Sequence, residues 1–192
     1  MTPLWLIRAA APEDAAALAT FTCVRPDRSV GVAMWEQEVE GFIRTQLALW
    51  AFDPHAQEGD PRLLLMLTSA TGELVGVAAH ERVMLHDSAS GETIAATKIE
   101  VVAIASRWQG RRFPGEGTEP GPRASDVLMS AVMTDISHRV PPRDARVMAV
   151  VHQDNERSLT LCQRHGLIDE LTRPHPAYRR LVTASTLADP SA

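Results

Sequence analysis

Residues 99–117 read IEVVAIASRWQGRRFPGEG, and this stretch decides how the rest of the chain is interpreted. Its first part, IEVVAIA, is almost continuously apolar, which is typical of a strand buried on both faces of a sheet. The second part is rich in glycine and arginine, and a segment with helical periodicity begins after it, at Ala124. Backbone N–H groups at a loop-to-helix junction bind anions well. The stretch therefore predicts a central strand that leads into an anion-binding loop or, on spacing alone, into an ordinary solvated basic loop.

The composition is that of a soluble globular protein. The chain has 192 residues, of which 45% are hydrophobic and 22% charged, so we expect one domain over residues 1–186 and a frayed tail over 187–192. It lacks an apolar run of membrane-spanning length and the features of a signal peptide, which predicts a cytoplasmic protein with no membrane partner. The net charge of −5 gives no general attraction for nucleic acid. Two distant cysteines indicate reduced thiols, and the Cys and His spacing predicts no metal site.

Hydrophobic periodicity predicts a strand, two helices, a hairpin, a long strand, a helix, a strand, a helix and a terminal β region. The predicted strands cover residues 4–10, 62–68, 74–85, 94–106, 145–151 and two pieces of 168–185, and the predicted helices cover 12–23, 30–50, 124–138 and 156–165. Strands 62–68 and 74–85 form a hairpin around a turn at Gly72, and the last helix has Asn155 as its cap and Gly166 beyond its C-terminus. This order predicts an α/β (mixed α+β) fold, a mixed sheet with helices on its faces.

A second segment, residues 151–167, narrows the interpretation. It reads VHQDNERSLTLCQRHGL, a strand that leads into a helix. Together with VAIASRWQGRRF in the first stretch and LIRAAAPEDAAALATF near the N-terminus, it resembles the GNAT superfamily of acyl-CoA N-acyltransferases. The matching positions of the second segment are Asn155, Ser158, Leu161, Gly166 and Leu167. The resemblance covers most of the chain in order and implies a GNAT-like twisted mixed sheet flanked by helices on both faces.

The resemblance implies acetyl-CoA as co-substrate and assigns it a binding site. The backbone of Val102, Ala103 and Ile104 would hydrogen-bond the pantetheine arm. The pyrophosphate loop would contain Gln109, Gly110, Arg111, Arg112 and Phe113, and Asn155 would lie on the cofactor side. From the residues alone, Arg111 and Arg112 also fit a solvated loop, and Asn155 also fits a simple helix cap.

The resemblance also implies two catalytic positions. Glu100 stands where many members keep a carboxylate that removes a proton from the substrate ammonium, often through water. Cys162 stands where many members place a tyrosine as proton donor to the leaving thiolate. Each residue has a structural alternative: a salt-bridged strand carboxylate for Glu100, and core packing for Cys162.

The first stretch departs from the family pattern at Arg112 and Pro114, where small residues are expected. Pro114 also removes an N–H that would face a phosphate. An insertion over residues 114–123 postpones the helix to about Ala124. The pyrophosphate would then be held by arginine side chains or by N–H groups near residues 123–125, or it would be held poorly.

The sequence thus predicts an N-acetyltransferase that transfers an acetyl group directly to a primary amine. The acceptor would be a small molecule or a peptide amine, and family analogy suggests a homodimer. An aminoacyl-tRNA-acetylating toxin of the same fold is less favoured because the chain is acidic. The altered loop and the missing tyrosine motivate an alternative, a catalytically degenerate GNAT-like module that binds a ligand or a partner.

Overall fold

The computed structural model describes residues 5–26, 30–47, 49, 52, 60–86, 91–113, 120–140, 146–170 and 177–183. The strands in these ranges are β1 Trp5–Ala9, β2 Arg62–Thr68, β3 Leu74–His86, β4 Thr93–Ile104, β5 Val147–His152, β6 Leu167–Asp169 and β7 Tyr178–Thr183. The α-helices are α1 Ala15–Ala19, α2 Val30–Phe42, α3 Ala124–Arg139 and α4 Glu156–Arg164. Short 3₁₀ turns cover Pro12–Asp14 and Ser106–Trp108, and a π-helical turn covers Ile43–Leu47.

The described strands form one mixed sheet in the order β1-β2-β3-β4-β5-β7-β6. Neighbours pair antiparallel except β4 and β5, which run parallel. In the described part of the chain, β4 and β5 pair only from Thr97↔Val147 to Ile99↔Ala149. Both strands continue beyond this point, β4 to Ile104 and β5 to His152. The sheet therefore opens between the carboxyl ends of its two central strands.

A β-bulge lies where the opening begins. Ala79 pairs with Val101 and His80 pairs with Ile99, so Glu100 is the extra residue on β4. A bulge reverses the alternation of side chains beyond it and re-aims the strand. Accordingly, Ile99 belongs to the core on one face of the sheet and Val101 to the core on the other.

Each face of the sheet carries helices. On one face, α3 contributes Leu128, Val132 and Ile136 to a core cluster that also contains residues of α4. There the buried His80 of β3 has its Nε2 atom 3.0 Å from Asp135 of α3, and burial lowers the pKa of the imidazole. On the other face, Leu18 of α1 packs with residues of the π-helical turn. The fold thus matches the predicted mixed sheet with helices on both faces.

The predicted elements are confirmed with small shifts of their ends, except that the first helix is shorter than predicted and the second is interrupted. The first ends at Ala19 rather than residue 23, because Phe21 and Cys23 are buried in the core from a segment without regular structure. The second changes to a π-helical turn over Ile43–Leu47, and Leu49 and Phe52 beyond it are again helical. In the π-helical turn, Thr45 Oγ1 donates to the Gly41 carbonyl at 2.7 Å, a local bond that competes with the helical ladder.

The predicted turn and caps are also confirmed. Gly72 and Gly166 have φ of 66° and 82°, and Asn155 Oδ1 accepts a hydrogen bond from the Ser158 N–H at 3.2 Å. The predictions for Pro114 and the tail fall outside the described residues. None of the helices described is both long enough and apolar enough to cross a bilayer.

Candidate functional site

A cavity of about 570 Å³ lies at the opening between β4 and β5. One side is the end of β4, from Val102 to Ile104, and the loop that follows it. A second side is the N-terminus of α3 together with Asn155 and other residues of α4, and a third is formed by Cys23, Arg25 and α2. Five separate parts of the sequence therefore meet at one place.

Most of the residues predicted to bind a cofactor line this cavity. They are Val102, Ala103, Ile104, Gln109, Gly110, Arg111, Arg112 and Asn155. Phe113, Glu100 and Cys162 lie elsewhere, and each has a distinct environment.

Phe113 belongs to the core beside the loop. Its side chain is buried, and its ring centroid lies 3.9 Å from that of Trp5 on β1. The ring thus packs the end of the loop against β1, the edge strand of the sheet.

Glu100 is mostly buried at the β-bulge, where its Oε1 lies 2.7 Å from Lys98 Nζ. The contact does not have hydrogen-bond geometry, so it is an ion pair rather than a directed hydrogen bond. Glu100 precedes the lining residues Val102 and Ala103 on the same strand. The side chain thus lies near the start of the opening but is not part of the cavity wall.

Cys162 is buried in the core cluster that α4 shares with α3. Burial raises the pKa of its thiol to about 11, so the thiol is protonated at neutral pH. The residue is an inward-facing part of α4 and does not line the cavity.

The glycine-arginine loop is held by contacts to the β2–β3 hairpin. Trp108 Nε1 donates a hydrogen bond to Glu73 Oε1, and Arg107 Nε lies 2.6 Å from the same oxygen. Gly110 has φ of 74°, a conformation that suits glycine, and the chain turns there into the two arginines. The guanidinium of Arg111 lies over the Trp108 ring at 5.2 Å, a cation–π contact.

The ends of the insertion are joined to each other. Arg112 and Arg123 form an isolated antiparallel bridge, and the Phe113 N–H donates to the Pro122 carbonyl at 2.9 Å. The chain therefore leaves the site after Phe113 and returns beside it at Pro122. As a result, α3 starts next to the loop although residues 114–123 separate them in sequence. Ala124 and Ser125, whose N–H groups have no acceptor inside the helix, both line the cavity.

The charge of the lining is positive in a protein whose net charge is −5. Six arginines and two glutamates line the cavity: Arg25, Arg111, Arg112, Arg123, Arg157, Arg164, Glu36 and Glu156. Arg164 is paired with Asp126 at 2.6 Å. Such a lining suits a ligand with several negative charges.

Sequence reasoning missed the side chains of four of these arginines, and for residue 123 it considered only the backbone N–H group. Arg157 and Arg164 are seven residues apart, so they share one face of α4, and this spacing was the available signal. Arg25 carries no such signal, since only the tertiary fold brings it to the cavity.

The side formed by α2 is different in character. Trp35, Glu36 and Val39 line it, and the Trp35 ring stacks on His152 of β5 at a centroid distance of 4.2 Å. His152 in turn contacts Tyr178 of β7 edge-on at 5.3 Å. These ring contacts connect α2 to β5 and β7. No group of three or more metal-ligating side chains occurs among the residues that the structure describes.

No protein-family model and no curated protein matches the chain. Solved structures do match it. A bacterial toxin superimposes with a TM-score of 0.67 at 14% identity, over 94% of this chain and 90% of that one. The PaiA N-acetyltransferase of Thermoplasma acidophilum, solved with coenzyme A, gives a TM-score of 0.60 at 10% identity, over 93% and 98% of the two chains.

A protein of Desulfovibrio desulfuricans described as an acetyltransferase of the GNAT family gives a TM-score of 0.57 at 13% identity, over 93% of this chain and 97% of that chain. At these identities the likeness shows the fold. The chain has the fold of the GNAT acetyltransferases, as its sequence predicts.

Proposed function

We propose that the chain is an acetyl-CoA-dependent N-acetyltransferase that transfers the acetyl group directly to a primary amine. The observation that carries the proposal is the convergence, in one cavity, of the open end of β4, the glycine-arginine loop and the N-terminus of α3. The fold, and the coenzyme A bound to PaiA, support it.

The pantetheine arm is assigned to the opening between β4 and β5. A strand carries hydrogen-bonding groups on both edges, and β3 occupies only one edge of β4. Along Val102–Ile104 the described residues of β5 do not pair with the other edge. The amide groups of an extended arm would complete that edge as an added strand does.

The phosphates are assigned to the loop and to α3. The N–H groups of Ala124 and Ser125 and the positive end of the helix dipole favour an anion there. Arg111 and Arg112 add charge from the loop, and Arg157 adds charge from α4. Because the insertion is closed by the Arg112–Arg123 bridge, it does not displace α3 from this position.

Bound acetyl-CoA would supply a thioester, whose C–S bond breaks as the amine nitrogen forms a C–N bond to the acetyl carbon. Coenzyme A would leave as a thiolate that takes up the second proton released by the nitrogen. The chain must then position the amine and accept the proton that the ammonium loses. We assign the proton acceptor to Glu100, acting through water because the carboxylate is not in the cavity wall. We assign packing roles to Phe113 and Cys162, in keeping with their burial.

The first experiment measures the thermal midpoint of the pure protein with millimolar acetyl-CoA, because a ligand of the native state must raise it. ADP is the matched control, since it tests for general phosphate binding. No shift with acetyl-CoA would overturn the proposal.

The second experiment follows thiol release with a panel of acceptors: a polyamine, an aminoglycoside, a peptide with a free N-terminus, a lysine peptide and an aminoacyl-tRNA. We expect release with at least one of them. A thermal shift without any release would favour the ligand-binding module instead.

A further inference from the structure

Residues 21–25 follow α1 and have no regular secondary structure, yet their backbone is fixed at nearly every position. Phe21 and Cys23 are buried, and Cys23 and Arg25 line the cavity together with residues of α2. Because β4 is assigned to the pantetheine arm and the loop and α3 to the phosphates, this 21–25 segment belongs to the wall that is left for the acceptor.

A buried carboxylate on α2 holds the middle of the segment. Glu40 is 8% exposed, and its Oε2 accepts hydrogen bonds from the N–H groups of Cys23 at 2.8 Å and Val24 at 3.0 Å. Its other oxygen lies 2.7 Å from Arg44 Nη2, and Arg44 Nε donates to the Phe21 carbonyl at 2.6 Å. One charged pair thus binds the backbone of the segment at three residues, Phe21, Cys23 and Val24.

The segment is also tied to the loop that leaves β4. Gln109 Nε2 donates to the Cys23 carbonyl at 2.6 Å and to the Ile104 carbonyl at 3.1 Å. The Ser106 N–H donates to the Thr22 carbonyl at 2.8 Å. The wall therefore has a defined position relative to the end of β4, where the thioester would lie.

We propose that Glu40 is a positioning residue of the acetyl transfer, which acts by holding the 21–25 segment as the preformed acceptor-side wall. This inference rests on the proposed function. A buried charge is strongly destabilising unless it is fully paired, and here the pairing partners are the backbone of the wall itself. Pairing of this kind fixes the wall before the acceptor arrives, so that the amine meets the thioester in a defined geometry.

The loop that binds phosphates has separate supports. Trp108 and Arg107 hold it through Glu73, and Gln109 also bonds the Ile104 carbonyl. Loss of Glu40 should therefore impair use of the amine while leaving acetyl-CoA binding intact. A residue with only a general structural role would weaken both together.

The test compares Glu40→Ala, Glu40→Gln and the control Glu38→Ala, an exposed glutamate of the same helix. Calorimetry gives the Kd for acetyl-CoA, thiol release gives kcat and KM for the amine that wild type uses best, and hydrogen exchange follows the 21–25 segment. For Glu40→Ala we expect kcat/KM to fall about 100-fold, with faster exchange of the segment. The Kd should stay within about twofold, a difference well below 1 kcal/mol. Glu38→Ala should match wild type.

Glu40→Gln provides a milder variant that should fold even if Glu40→Ala does not. Both N–H groups bind one oxygen, which an amide retains, whereas the contact with Arg44 is lost. We expect a smaller loss of kcat/KM than for Glu40→Ala, again at unchanged Kd.

Unchanged amine kinetics in the variants, or a Kd that weakens in parallel with kcat/KM, would overturn the role of Glu40 alone. Absence of thiol release from wild type would remove the proposed function and this inference with it.

Discussion

Glu100 is the extra residue of the β-bulge in β4, beside the opening of the sheet, with Lys98 as its charged neighbour. Cys162, the other residue with a predicted chemical role, lies in an apolar core where its thiol pKa is raised to about 11. A proton acceptor needs access to the reacting amine, directly or through water. The two environments therefore favour chemistry at Glu100 and packing at Cys162.

This contrast is tested by the pair Glu100→Gln and Cys162→Ala. Glu100→Gln should lower kcat by about 100-fold or more at pH values below the pKa of the acceptor amine, at unchanged Kd for acetyl-CoA, because general-base catalysis is lost. Cys162→Ala should keep kcat and lower the free energy of unfolding by about 1 kcal/mol, because a small cavity is left. Thiol-release kinetics across pH and urea unfolding provide the measurements. The opposite pattern, with the rate lost only in Cys162→Ala, would return the proton-donor role to the thiol.

At the scale of elements, the site depends on how closely β3, β4 and α3 approach one another. A Cβ on Gly76 of β3 would lie 2.9 Å from Ile104 Cδ1, 3.0 Å from Leu128 Cδ2 and 3.1 Å from the Ala103 carbonyl oxygen. Two of these neighbours, Ala103 and Ile104, line the cavity. The absence of a side chain at position 76 therefore sets the position of the end of β4 against α3.

Two glycine substitutions of equal size should act in opposite directions. Gly76→Ala should lower the free energy of unfolding by about 1–3 kcal/mol because it overpacks this junction, and it should weaken acetyl-CoA binding. Gly41→Ala, in α2 with open space around it, should raise the free energy of unfolding by about 0.5–1 kcal/mol, since alanine favours the helix. Urea unfolding and calorimetry measure both effects. Equal stability of the two variants would show that β4 and α3 can shift apart at no cost.

At the scale of the whole molecule, net charge and local charge have opposite signs. The chain carries −5, yet arginines outnumber glutamates six to two around the cavity. The net charge alone argues against polyanionic ligands. A cavity that is lined by charges of one sign and has walls of low dielectric constant can nevertheless raise the local concentration of oppositely charged ligands. The single domain over residues 1–186 and the homodimer stay predictions.

Binding of acetyl-CoA should therefore depend on salt. Between about 0.05 M and about 0.5 M NaCl the Kd should rise about tenfold, because salt screens exposed charges. Arg157→Ala, which removes one cavity arginine, should weaken binding at low salt and flatten this dependence. Arg82→Ala, at an exposed arginine outside the cavity, should leave the Kd at low salt and its salt dependence unchanged. Calorimetry at several salt concentrations provides the data, and a Kd indifferent to salt would show that the arginines do not face the phosphates.

The sequence by itself determined the order of strands and helices and the central position of β4. These features can be predicted because the signals for them are local. Hydrophobic periodicity, a glycine that needs positive φ and a capping asparagine each act over only a few residues of the chain. It also singled out eight residues of the cavity wall, seven of which lie within residues 102–112, a continuous piece of chain that enters the site as a unit.

Only the tertiary structure decided what surrounds that piece. The Arg112–Arg123 bridge returns α3 to the loop across an insertion, which no local pattern encodes. The short first helix follows from burial of Phe21 and Cys23, and the position of the 21–25 segment follows from Glu40 on another helix. The environments of Glu100 and Cys162 likewise depend on residues distant in sequence. These features come from packing and from pairing of buried polar groups, which are satisfied only when the whole chain has folded.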